Sequence, residues 1–271
     1  MKVSAAIFLS LAISLPGCSR PRASHVTGRP NVLLVTIDTF RADRMTPELT
    51  PTIARLAARG LAFTRARTTV PLTLPAHTTI MTGVLPPAHG VRENGATGLD
   101  QRHPTIARLL KDDGYQTAAF VGAFVLDRRF GLAQGFDDYD DHIRRDPRAT
   151  ERLEAERPAS AVIDRALEWL DRRSNTAPFF VWIHLYDPHA PYTPPEEWLV
   201  RAQARSASRP APANGNQERY DGEIMYADSQ LGRVVDWLTK RDLHQQTLIV
   251  VAGDHGEGLG DHGERTHGML L

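Results

Sequence analysis

Hydrophobic residues along this chain fall into two alternating kinds of segment. Asn31 to Ile37 (NVLLVTI), Gln116 to Val121, Phe179 to Tyr186 (FFVWIHLY) and Thr247 to Ala252 (TLIVVA) are short, nearly unbroken apolar runs rich in β-branched and aromatic residues. Such runs predict strands buried on both faces of a parallel sheet. Leu61 to Thr64 reads as one further short strand. Between these runs the apolar positions recur at helical spacing. Pro51 opens a helix behind Thr50 as its N-cap, and Gly60 closes it. Pro104 to Asp113 is a helix ended by Gly114. Residues 158 to 173 carry Val162, Ala166, Trp169 and Leu170 on one stripe. A long helix over roughly 217 to 240 carries Ile224, Leu231, Val234, Val235 and Leu238.

Strands alternating with helices predict an α/β fold, a doubly wound, mostly parallel sheet flanked by helices. Ligands in such sheets bind at the carboxyl ends of strands. Asp38, the Tyr186-Asp187 turn and Asp254-His255 all fall at such ends. Two long connections, residues 127 to 157 and 201 to 216, are expected to be surface insertions. The sequence GDHGE occurs at 253–257 and again at 260–264. The first copy follows a strand and is the expected site; the second reads as a loop.

Composition adds little to this frame. Lys plus Arg equals Asp plus Glu, 32 against 32, so no overall basic field argues for nucleic acid. The N-terminus adds more. Lys2 is followed by an apolar run from Ala5 to Leu15, too short for a stable membrane span, and then by Leu15-Pro16-Gly17-Cys18. Residues 1–18 therefore read as a signal peptide with a lipobox-like end, 19–30 as a linker, and 31–271 as the catalytic domain. Export is expected, to the periplasm or outer surface of a bacterium. A lipid on Cys18 would anchor the chain to the membrane; Pro16, unusual inside such a box, keeps plain secretion as the alternative. Cys18 is the only cysteine, so no disulfide forms within the chain.

Candidate chemistry begins with Asp38 and Asp254-His255. Two carboxylates and an imidazole at neighbouring strand ends can hold a divalent cation through two oxygens and a nitrogen. An aspartate after a strand also serves as a turn or cap residue, so Asp38 alone proves nothing. The glycines flanking Asp254-His255 let the backbone turn sharply and bring both side chains to one centre. Thr73 precedes Pro75 at the start of a helix running to about Met81. The amides and positive end of that helix favour an anion, and a cation would lower the pKa of the hydroxyl. Spacing alone leaves two readings of Thr73 open, nucleophile or helix cap.

Four stretches carry a resemblance: VTIDTFRADRM, VPLTLPAHTTIMTGVLPPAHGVREN, FFVWIHLYDPHAPYTPP and TLIVVAGDHGEGLGDHGE. Together, and in this order, they are similar to the sulfatase N-terminal domain family of the alkaline phosphatase superfamily. The resemblance implies that Asp38, Asp254, His255 and the hydroxyl of Thr73 bind the metal. Thr73 takes the nucleophile position, placed by counting back from Thr82-Gly83. His184 and His189 lie in the segment that contributes a histidine near the transferred group, with His184 favoured. His267 stands where the family often has a Lys or His against the anion or leaving group. Catalytic roles are thus expected for Thr73, His184 and His267, and substrate contacts for His77, Asn94 and His189. Arg41 and Asp43 are expected to pair and support their loop.

The sequence departs from true sulfatases at the nucleophile. Those enzymes convert a Cys or Ser in a Cys/Ser-x-Pro-x-Arg motif to formylglycine. Here Thr73-Leu74-Pro75-Ala76-His77 stands in that place, and no Cys or Ser lies between Ala57 and Gly98. Ala123 and Val125 replace a Lys and a His, and Thr39 replaces a second aspartate. No formylglycine is expected. The set that remains resembles the Thr-dependent phosphodiesterases and phosphoethanolamine or glycerophosphate transferases. The expectation is a metal-dependent hydrolase of sulfate or phosphate esters, with Zn, Mn, Ca or Mg and an ester of a small molecule, glycan or lipid as substrate. A phosphoryl transferase and a non-catalytic anion-binding relative are the alternatives. The family normally continues past this point with further sheet, so the C-terminus is expected to be truncated.

Overall fold

The computed structural model describes residues 28–143, 156–174, 176–206 and 216–268. Five parallel strands form one sheet: β1 (Asn31–Ile37), β2 (Gln116–Val121), β3 (Asp138–Asp140), β4 (Phe179–Leu185) and β5 (Thr247–Gly253), in the order β3-β2-β4-β1-β5. The helices are α1 (Pro51–Arg59), α2 (Thr73–Thr82), α3 (Pro86–His89), α4 (Ile106–Asp112), α5 (Ala159–Arg172), α6 (Glu196–Ser206) and α7 (Asn216–Lys240). This is the expected doubly wound α/β architecture.

Strand alternation sorts the core into two layers. Leu33, Val35 and Ile37 of β1 and Val181, Ile183 and Leu185 of β4 pack with Ile163 of α5 and Leu231 and Trp237 of α7. Leu34 of β1 and Phe180 and Trp182 of β4 turn to the other face, against Leu74 and Met81 of α2. Burying each such side chain contributes about 1.5–3 kcal/mol. The second face matters for function, because the same alternation places Thr36 and His184 under α2. These two residues lie side by side in the β1–β4 register.

Several expectations change. Leu61 to Thr64 is not a strand: Leu61 and Phe63 are 86% and 80% exposed. β1 already has β4 on one side and β5 on the other, so a four-residue segment after α1 finds no partner beside it. The connection expected over 127–157 contains β3, whose Asp138, Tyr139 and Asp140 pair with Ala118, Ala119 and Phe120. Asp-Tyr-Asp carries no apolar run to betray it. The connection expected from residue 201 is helical as far as Ser206. β5 lies at the sheet edge rather than buried on both faces, leaving Leu248 and Val250 exposed.

The start of α1 is capped from afar. The Thr50 hydroxyl donates to the Thr46 carbonyl, and the α1 amides of Thr52 and Ile53 instead donate to the buried carboxylate of Asp228 on α7, both at 2.9 Å. α5 is treated alike: the Ala159 amide donates to Asp187 Oδ2 at 2.8 Å. The expected signal peptide with Cys18, and all of the expected linker but its last three residues, lie outside the described residues. Among the described residues no helix is long and apolar enough to cross a membrane.

Candidate active site

The carboxyl ends of β1 and β5 and the first turn of α2 meet at one point. Asp38 follows β1 and Asp254 follows β5, both with their side chains fully buried. Each carboxylate divides its oxygens. Asp254 Oδ1 accepts the amides of Thr39 and His255, at 3.1 and 2.8 Å. Asp38 Oδ2 accepts the hydroxyl of Thr73, at 3.2 Å. The remaining oxygens, Asp38 Oδ1 and Asp254 Oδ2, have no hydrogen-bond partner. The ring of His255 is set by its Nδ1, which donates to the Gly256 carbonyl at 3.0 Å. That leaves Nε2 without a hydrogen-bond partner, 3.6 Å from Asp38 Oδ1 and 3.5 Å from Asp254 Oδ2.

Three buried electron-rich atoms converging at such distances fit a divalent cation. Ligand atoms held about 2.1 Å from a common centre stand roughly 3–3.5 Å apart. The carbonyl that orients His255 is the usual outer support of a metal-bound imidazole. Asp38, Asp254 and His255 therefore form a donor set of the right kind, grouped within ligand reach of one another.

The electrostatics agree. Burial alone would raise the pKa of Asp38, but the imidazole of His184, 3.4 Å from Oδ2, and the charges of His255 and His189 outweigh it and hold the carboxyl below its usual range. Asp254 moves the other way, with burial and then the charge of Asp38 pushing it up to about 6. Burial would lower His255, but Asp254 and Asp38 overcome it and raise the imidazole. The pocket is rich in negative charge and calls for a positive one.

The backbone that carries this set is strained in one place. Thr39, at the position of the missing second aspartate, has φ of 52°, which a β-branched residue adopts at a cost. Its amide holds Asp254 and its carbonyl accepts the Tyr220 hydroxyl at 2.6 Å. Thr39 thus serves through its main chain. Of the two glycines flanking Asp254-His255, only Gly253 is sterically required: a Cβ there would meet the Phe40 carbonyl oxygen at 2.8 Å, whereas Gly256 has open space.

Thr73 is the first residue of α2, and Leu72, not Thr73, occupies the cap position. The hydroxyl is turned to Asp38 and so caps nothing. The amides expected to receive an anion are largely spoken for. Asn94 Oδ1 takes the Leu74 amide at 2.9 Å, Pro75 has none, and the Ala76 amide returns to the Leu72 carbonyl. Asn94 therefore acts here on the helix start. His77 is wholly buried, with Nδ1 at 2.7 Å from the Thr73 carbonyl and Nε2 at 2.9 Å from Thr36 Oγ1. Burial drives its pKa down to about 3. His184 lies behind Asp38 and is equally buried. His189 and His267 take the more accessible side: His189 stacks on Tyr186 and meets the edge of His267 at 5.0 Å, and His267 lies 4.5 Å from the ring of His255.

Arg41 pairs with Asp43 as expected, and also with Asp261 of the second GDHGE copy at 2.7 Å. That copy is a loop tied to the first by Arg41, whose Nη1 also donates to the Glu257 carbonyl. Two contributors were not anticipated from sequence. Thr36 was signalled only as a polar residue in an apolar strand. Glu257, buried beside His267 at 3.6 Å, lay within the recognised motif.

The sequence profile of the sulfatase family matches residues 30–269. The chain belongs to the sulfatase family. Among its relatives, the sulfatase YidJ of Escherichia coli (strain K12) is 27% identical over 86% of this chain and 58% of its own length. The multifunctional alkaline phosphatase superfamily protein PehA of Trinickia caryophylli is 27% identical over 86% of this chain and 64% of its own. The chain thus spans about three fifths of the length of these relatives. The phosphonate monoester hydrolase of Agrobacterium radiobacter superposes with a TM-score of 0.71 at 22% identity, over 90% of this chain and 66% of that one. The sulfatase-family chain shares that fold.

Proposed function

We propose that this sulfatase-family chain carries the centre of a metal-dependent ester hydrolase acting through Thr73, with phosphate esters favoured over sulfate esters. One observation carries the reading: the Thr73 hydroxyl donates to Asp38 Oδ2, while Asp38 Oδ1, Asp254 Oδ2 and His255 Nε2 converge beside it. Asp38, Asp254 and His255 would hold the cation, with Zn or Mn suiting the mixed oxygen and nitrogen set and Mg or Ca as the competing identities. When bound, it supplies positive charge that stabilises the Thr73 alkoxide and the transferred group.

The chain's own residues do the rest. Asp38 Oδ2 is the acceptor that the hydroxyl proton already faces. Thr73 Oγ1 attacks phosphorus or sulfur, forms the new P–O or S–O bond, and the alcohol leaves with the bond that breaks. His189 and His267, on the more accessible side beside His255, would meet charge on the transferred oxygens and serve the departing alcohol. A threonine ester has no second oxygen on Cβ to expel the group, unlike a formylglycine hydrate. Water must therefore attack phosphorus or sulfur directly to release Thr73. That favours phosphoryl chemistry, as does the phosphonate monoester hydrolase neighbour. An ester on a sugar is the substrate class proposed, since a neighbour with a TM-score of 0.70 was solved with its substrate D-glucosamine-2-N,6-O-disulfate, and that sulfated sugar is the competing arm of the assay. Export with a lipid on Cys18 completes the proposal, tested by palmitate labelling of the full precursor and its loss in Cys18→Ala.

The deciding experiment assays the purified chain with added Zn²⁺ or Mn²⁺ on aryl phosphate mono- and diesters and aryl sulfates. Activity abolished by Thr73→Ala in a folded protein supports the reading. Activity that persists in Thr73→Ala removes Thr73 from the chemistry.

A further inference from the structure

We propose that His77 is the positioning residue of the nucleophile: a neutral imidazole, protonated on Nδ1, that clamps the main-chain carbonyl of Thr73 and is itself locked by a hydroxyl relay from Trp182 through Thr36. The inference rests on Thr73 being the nucleophile, and it assigns a role to the residue that replaces the arginine of the sulfatase motif.

The proton positions follow from which atoms can only give and which can only receive. The Trp182 indole nitrogen is solely a donor, and it lies 3.0 Å from Thr36 Oγ1. The Thr73 carbonyl is solely an acceptor, and it lies 2.7 Å from His77 Nδ1. Nδ1 therefore carries a proton. Thr36 Oγ1 accepts from Trp182 and has one proton of its own to give. Among the described residues its remaining side-chain partner is His77 Nε2, at 2.9 Å. If Nε2 also carried a proton, the Thr36 hydroxyl would receive two donors and its own buried proton would lack an acceptor, which is costly away from water. The arrangement that satisfies every group runs Trp182 N–H to Thr36 O–H to His77 Nε2, and His77 Nδ1–H to the Thr73 carbonyl.

The chain of bonds is sealed from water, with Thr36, His77 and Trp182 all at 0% exposure. It is also built into the fold. Alternation along β1 and β4 puts Thr36 and Trp182 on the face that α2 covers, and the helical spacing of four brings His77 back over Thr73. The same proton answers a second question. His77, His184 and Asp254 lie within ligand distance of one another and resemble a further cation site. His77 Nδ1, 3.5 Å from Asp254 Oδ2, is the atom that would have to bind the ion. It is committed as a donor to Thr73. His77 thus borders the Asp38–Asp254–His255 set without joining it.

The test uses ¹⁵N multiple-bond NMR on the intact chain, with and without Zn²⁺. His77 is expected to have a protonated Nδ1 and a bare Nε2 in both states. A proton on Nε2, or an Nδ1 signal displaced as a zinc ligand, would overturn the proposal whether or not any esterase activity is found. Kinetics then separate positioning from mere packing. Thr36→Val keeps the shape and removes the relay. It should lower kcat by about 10- to 100-fold, with KM and zinc affinity little changed. His77→Asn, whose amide can occupy the Nδ1 position, should retain more kcat than His77→Gln. Unchanged kcat in folded Thr36→Val, or Gln matching Asn, would sink the positioning role. If instead Thr73→Ala leaves turnover intact, the nucleophile reading fails while the tautomer result stands.

Discussion

Thr73 Oγ1 donates to Asp38 Oδ2 at 3.2 Å, and the other oxygen of the same carboxylate faces Asp254 and His255. One side chain therefore joins the candidate nucleophile to the candidate cation site. Removing the hydroxyl without changing shape isolates that link. In Thr73→Val, turnover on an ester substrate should fall by about 10⁴-fold or more, while Thr73→Ser retains measurable activity. Steady-state kinetics on both variants, with circular dichroism to confirm folding, check this.

A cation at Asp38, Asp254 and His255 would stabilise the fold by mass action. Zinc at 100 times its Kd should add about 2.7 kcal/mol to unfolding, read as a rise in Tm. Asp254→Asn removes a buried, partnerless ligand oxygen and should abolish that rise. A proton competes with the cation for His255 Nε2, whose pKa is raised, and for Asp254, pushed up to about 6. Affinity measured by calorimetry should therefore increase as pH climbs through about 6, and an affinity flat with pH would contradict this donor set.

Glu223 offers a stability test remote from the cation site. It is buried, accepts the Thr193 amide at 2.6 Å, and burial pushes its pKa up to about 9. The sign follows directly. The folded state keeps the proton that the unfolded chain gives up near pH 4.5, so stability falls with rising pH between these values, by up to about 1.4 kcal/mol per pH unit. Glu223→Gln cannot lose a proton and keeps an oxygen for Thr193. Its Tm should match that of the parent near pH 4 and exceed it increasingly toward pH 9.

α1 depends on a carboxylate 176 residues away, since Asp228 takes the amides of Thr52 and Ile53. Asp228→Ala should cost about 3 kcal/mol, for two charge-assisted bonds. Thr50→Val, which removes only the bond to the Thr46 carbonyl, should cost about 1 kcal/mol. Urea unfolding midpoints decide. Equal losses would mean that Thr50 caps the helix after all.

The strands that were legible in sequence, β1, β2, β4 and β5, are nearly unbroken apolar runs; in β1 and β4 burial on two sides demands them, and β5 keeps the pattern although it lies at the sheet edge with Leu248 and Val250 exposed. β3 escaped because three residues, two of them aspartates, are enough to extend an existing sheet. Leu61 to Thr64 misled because apolar composition resembles a strand whether or not a partner is available. At the site, the family motifs located Asp38, Thr73, Asp254 and His255. They favoured His184 over His189 within one short segment, whereas the fold buries His184 against Asp38 and leaves His189 beside His267 on the more accessible side.

Local sequence determined the periodicity, the order of strand and helix, and the residue types at the strand ends, because those depend only on neighbours along the chain. It also put Thr73 where the sulfatase motif carries the Cys or Ser that becomes formylglycine. The tertiary structure alone decided how each group is used. Oxygen by oxygen, Asp38 and Asp254 are divided between the protein and the common centre, Asn94 is spent on an amide of α2, and the proton of His77 is fixed by Thr36 and Trp182. Hydrogen bonds between residues far apart in the chain are set by packing across the sheet. No pattern along the sequence encodes which lone pair is left over.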